Sequence, residues 1–79
     1  MEIVNRIRNY LLEDEFWMQV YPDHVDVMNY KRIGHFDSEK VMMEYSNGTL
    51  VIKGEHLVVS KLLQDEVLVT GTIKSIELR

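Results

Sequence analysis

Three histidines, His24, His35 and His56, are the residues to weigh first, because three imidazoles converging on one ion make a zinc site. They fall in different strands or turns, with no short ligand spacing such as two histidines four apart on a helix. The spacing therefore predicts turn and surface histidines and no metal site. Asp23, Asp26, Asp37 and Glu39 supply carboxylates and Ser38, Ser46 and Ser60 supply hydroxyls, but none lies in a nucleophile elbow or an acid/base motif. They read as solvated turn residues, and no catalytic residue is assigned. Gly48, Gly54 and Gly71 are too far apart to cradle a phosphate, so no cofactor is expected either.

The chain has 79 residues, 46% hydrophobic and 28% charged, which is the balance of one globular domain over residues 1–79. Without cysteine there is neither a disulfide nor thiol chemistry, which fits a reducing compartment. A net charge of -4, with lysines and arginines scattered singly, offers no field for nucleic acid. No apolar run approaches the length of a membrane span and no signal-peptide core is visible, so direct membrane insertion is not expected.

The elements that must position these groups are mostly strands. Asn47-Gly48 is a strong hairpin signal and predicts a type I′ turn with positive φ at Gly48. On that turn Tyr45 faces Leu50, Met43 faces Ile52, Glu44 faces Val51 and Met42 faces Lys53. Gly54-Glu55 reads as a second two-residue turn, setting Ile52 opposite Leu57 and Leu50 opposite Val59. A connection of odd length around Leu63-Gln64-Asp65 then continues the rows to Val69 and Gly71. Tyr45, Leu50, Val59, Val69, Met43, Ile52 and Leu57 share one apolar face, and a one-residue slip would turn them all outward.

Upstream, Phe16, Met18 and Val20 alternate with Trp17, Gln19 and Tyr21, and a two-residue Pro22-Asp23 turn aligns Val25 with Val20 and Val27 with Met18. Residues 33–37 form a further strand with a kink or bulge at Gly34, followed by a turn at Asp37-Ser38-Glu39. Ile73 and Ile76, three apart, imply a bulge near Lys74-Ser75. Ile3, Val4, Ile7, Tyr10 and Leu11 recur at helical spacing, so a short amphipathic helix is expected over about residues 2–12. The fold class is thus mostly β: an antiparallel β-meander forming a small sandwich or roll, with a short N-terminal amphipathic helix.

The run from Gly48 to Leu62, followed by Glu66 to Glu77, resembles the YabP/YqfC family of sporulation proteins. Val25-Asp26-Val27 and Asn29-Tyr30-Lys31-Arg32-Ile33 are similar to its YqfC-like branch, although Tyr30 stands where that branch is expected to have histidine. The resemblance implies a small all-β protein without catalytic activity, made in the cytoplasm of the mother cell of an endospore-forming bacterium and needed for spore formation. It also implies a protein partner, a membrane-bound sporulation protein among the candidates. The leading reading is a non-enzymatic interaction or assembly module, and the alternative is a small nucleic-acid-binding β barrel.

A chain this small buries a limited core, so self-association is an added expectation. The partner-interface candidates are Ile3, Ile7 and Leu11 on the helix, Trp17, and Val51 with Val58 on the second sheet face, where the expected register makes those two valines adjoin. Trp17 is either an exposed anchor or a residue buried by a second layer.

Overall fold

The computed structural model describes residues 8–11 and 16–79. Seven strands appear among them: β1 (Arg8–Leu11), β2 (Trp17–Tyr21), β3 (His24–Met28), β4 (Arg32–Phe36), β5 (Lys40–Tyr45), β6 (Gly48–Leu62) and β7 (Glu66–Leu78). They form one sheet in the order β1-β2-β3-β7-β6-β5-β4, and every neighbouring pair is antiparallel. Two hairpin-linked sets, β1 to β3 and β4 to β7, are joined where the last strand returns beside β3.

Strict alternation explains β2 and β3. Met18, Val20, Val25 and Val27 are buried while their neighbours are half-buried, and the pairs Val20↔Val25 and Met18↔Val27 follow from the two-residue Pro22-Asp23 turn as the sequence predicts. The register shift between Ile33 and His35 puts the expected bulge at Gly34. Val59 stands opposite Val69 as expected, but not through an odd connection: Leu62 pairs with Val67 across an even one, and a register shift between Val59 and Lys61 restores the row. Lys53 pairs with Ser75 and Gly54 with Ile73, so Lys74 is the extra residue of the bulge anticipated there.

The sheet must fold over itself. β2 and β5 are four strand spacings apart, roughly 19 Å in a flat sheet. Yet Phe16, immediately before β2, stacks on Tyr45 at the end of β5 with ring centroids 4.4 Å apart. One face therefore closes into a single core of Phe16, Met18, Val25 and Val27 with Val67 and Val69, against Val41, Met43, Leu50, Ile52 and Leu57. Val59 and Tyr45 pack at its margin.

Several expectations are corrected. The loop between β5 and β6 is Ser46-Asn47, giving Tyr45↔Gly48, Glu44↔Thr49, Met43↔Leu50, Met42↔Val51 and Val41↔Ile52 in place of the expected pairs. The slide is two positions, so parity is kept and the apolar face stays inward. Gly48 has no positive φ; among the described residues that conformation belongs to Asn29 (64°), His56 (56°) and Gly71 (134°). Glycine is needed at 48 because the Arg79 carbonyl sits where a Cβ would stand. Thr49 and Arg79 close that contact by exchanging backbone hydrogen bonds of 2.9 and 2.8 Å.

Gly54-Glu55 is not a turn. β6 runs unbroken through it, so Ile52 does not pair with Leu57 nor Leu50 with Val59. The polar residues mark where β6 loses β5 as a neighbour. Gly54 donates its N–H to the Glu39 carbonyl at 3.0 Å, and the Thr72 carbonyl occupies its Cβ position. Finally, Arg8–Leu11 is a strand on β2, where the sequence predicts a helix; the rest of that helix, including Ile3 and Ile7, lies outside the described residues. A helix this short is marginal by itself, whereas the β2 edge offers ladder partners for the backbone.

Candidate interaction surface

The outward positions of β2, β3 and β7 follow from the same alternation that buries Met18, Val25 and Val69. The ladders align Trp17 with Met28 and Glu66, then Gln19 with Asp26, Leu68 and Lys61, then Tyr21 with His24, Thr70 and Val58. Apolar and aromatic residues thus flank a central pair of carboxyls on one continuous face. His24 stacks on Tyr21 with centroids 4.1 Å apart and lies 2.7 Å from Asp23 Oδ1. Ser60 and Thr70 share a hydroxyl hydrogen bond of 2.6 Å.

Asp26 is the strained group of this face. Its Oδ1 is enclosed without a hydrogen-bond partner among the described residues. Burial pushes its carboxyl above the ordinary range, the hydrogen bond and charge of Glu66 push it further, and Lys61 and His24 pull the other way. A raised carboxyl favours the protonated fold, so stability falls as pH rises from the unfolded value through the folded one. Asp26→Asn is therefore expected to raise the melting temperature at pH 7, with the gain shrinking in acid, where Asp26 is protonated in both states. Thermal melts at the two pH values check this, and a lowered melting temperature at pH 7 contradicts it.

The second feature is the far half of β6. Through Lys53 it is flanked by β5 and β7, and at Leu57 its N–H still reaches the Ser38 carbonyl at 2.8 Å. From Val58 to Leu62 all its ladder partners among the described residues are in β7. Val58 (56% exposed) and Leu62 (60%) lie along this open edge, Val58 opposite Thr70 on the outer face and Leu62 opposite the buried Val67, and Leu63 (50%) follows in the loop. The β3 to β4 connection is pinned to the loop beside it, with Asn29 N–H donating to the Asp65 carbonyl and the Tyr30 hydroxyl to the Leu63 carbonyl, both at 2.6 Å. An unpaired edge with apolar side chains is suited to strand addition.

The candidates named from sequence are sorted by this geometry. Leu11 stands opposite Trp17 in the backbone register of the β1–β2 ladder. Val51 and Val58 do not adjoin: Val51 is opposite Met42 and Glu77, Val58 opposite Thr70. Val51 is wholly buried, which removes it as a surface contact, while Val58 is exposed. Leu62, Leu63 and the Asp26–Glu66 pair were missed. The signal for Leu62 and Leu63 was available, since two adjacent leucines before a polar loop cannot both face inward on a strand.

The histidines are apart. His35 pairs with Asp37 at 2.8 Å, His24 with Asp23, and His56 sits at the bend of β6 with φ of 56°. Among the described residues no three His, Cys, Asp or Glu side chains gather in a metal-binding group. Among those residues, too, no helix is long and apolar enough to cross a membrane.

Comparison with known proteins gives a family match. The sequence model of the YabP family matches residues 22–79, from the β2–β3 turn to the chain's last residue, without resolving a YqfC-like branch. No curated protein matches the chain.

Proposed function

Because this chain belongs to the YabP family, we propose that it is a non-enzymatic sporulation protein that acts as an interaction or assembly module in endospore formation. The observation that carries the interaction reading is the open half of β6, where Val58, Leu62 and Leu63 are exposed beside an unpaired strand edge among the described residues. The face holding Trp17, Met28 and Leu68 adjoins it through β7 and supplies further apolar contact area. The partner is a protein, with a membrane-bound sporulation protein the first to test, and the site of action is the mother-cell cytoplasm.

The test is genetic, with a structural control. In an endospore-forming host, deleting the gene should block sporulation and leave vegetative growth intact. A Val58→Asp, Leu62→Asp variant should reproduce that defect while melting within a few degrees of the parent protein. Normal spore yield from the deletion strain overturns the sporulation role, and normal yield from the variant overturns the role of the β6 edge.

A further inference from the structure

We propose that the groove between the Asp37-Ser38-Glu39 turn and the bend of β6 and β7 binds a compact phosphoryl anion, held by Lys40, Lys53 and Lys74. The groove has a volume of about 520 Å³. Three of the five lysines in a chain of net charge -4 line it.

Their placement is specific. Lys40 and Lys53 are direct partners in the β5–β6 ladder, and like charges in opposed positions are destabilising unless something neutralises them. Lys53 is in turn opposite Ser75, and Lys74 is the extra residue of the adjoining bulge, a feature that re-aims a side chain. Gly54 lines the groove as well. Ser75 adds a hydroxyl to the lining.

The available counter-charges do not fill this role. Glu77 meets Lys53 at 3.1 Å and Glu55 meets Lys74 at 2.8 Å, but all four side chains are about half exposed. Such pairs are worth little and exchange readily for a stronger anion. Lys40 has no carboxylate within ion-pair distance among the described residues. Asp37, which also lines the groove, is already engaged: its carboxylate accepts the N–H groups of Glu39 and Lys40, each at 2.8 Å, and pairs with His35. Glu39 lines the groove as well and opposes any anion there. Lys40, Lys53 and Lys74 line one recess, and a multiply charged phosphoryl group, for which lysine acts as a point-charge binder, has the most to gain from drawing Lys53 and Lys74 off their exposed carboxylates. The group could belong to a soluble phosphate compound or to a phospholipid head.

The full chain, labelled with ¹⁵N, is titrated with inorganic pyrophosphate at constant ionic strength, alongside Lys40→Gln, Lys74→Gln and the remote control Lys31→Gln. Saturable amide shifts should centre on Lys40, Lys53, Gly54, Lys74 and Ser75. Lys40→Gln and Lys74→Gln should each weaken binding roughly tenfold, the loss of one charge-assisted hydrogen bond, and Lys31→Gln should not. Shifts that do not saturate, or that spread over all lysines equally and survive Lys40→Gln, overturn the site. A parallel sedimentation with vesicles of phosphatidylcholine containing phosphatidic acid separates the sources. Vesicle binding that pyrophosphate competes and Lys40→Gln abolishes assigns a lipid head, and pyrophosphate binding without it assigns a soluble ligand.

Discussion

Gly71→Val is expected to lower the melting temperature by well over 10 °C. Gly71 has φ of 134°, a conformation that L side chains rarely adopt, and an added Cβ would lie 2.6 Å from the His56 carbonyl oxygen. Backbone strain of this kind costs about 1–3 kcal/mol before the clash is counted. For a domain of this size each 1 kcal/mol moves the midpoint by about 4–8 °C. No flexible side-chain end can yield here, because the neighbouring atoms are main chain of His56 and Glu55. Replacing His56 by glycine tests the same bend from the other side. His56 occupies the left-handed region at 56°, which costs a non-glycine residue about 1–2 kcal/mol. His56→Gly should therefore leave the melting temperature unchanged or raise it. Circular-dichroism melts read both variants, and a Gly71→Val protein as stable as the parent would sink this account of the bend.

Phe16→Ala should cost about 3–5 kcal/mol, the range for emptying a buried aromatic site. Phe16 is 1% exposed and stacks on Tyr45 at an interplanar angle of 14°. This contact joins strands that stand far apart in the sheet order, so it reports on closure of the sheet and not only on local packing. A double-mutant cycle with Tyr45→Leu isolates the ring pair, with an expected coupling of about 0.5–1.5 kcal/mol. Urea unfolding gives the four free energies. A Phe16→Ala loss below about 1 kcal/mol with no coupling would mean that the two halves of the sheet do not close through this pair.

How much of this was legible beforehand depends on the range of the signal. Residue alternation and loop length are local, and they placed Val20 opposite Val25, the bulge at Gly34 and the extra residue at Lys74. Even the misplaced Asn47-Gly48 turn erred by two positions, which preserves the face of every side chain, so Met43, Leu50 and Ile52 were correctly assigned to the core. The surface was less legible. Trp17 and Val58 could be named from facing alone, but Val51 could not be recognised as buried without knowing which neighbours surround it.

The sequence by itself determined the mostly-β class, the inward face and the strand-to-strand parity, because a period of two is written in consecutive residues. The tertiary structure alone decided the rest. A glycine that permits a turn and a glycine that admits another strand's carbonyl are the same letter, and only the return of β7 distinguishes Gly48 and Gly54 as the second kind. Arg8–Leu11 carries a helical spacing, yet its backbone pairs with β2, since a long-range ladder outweighs the weak preference of a short helix. The meeting of β3 with β7, which builds the outer face, and the convergence of Lys40, Lys53 and Lys74 both join residues remote in the chain, and no local pattern encodes them.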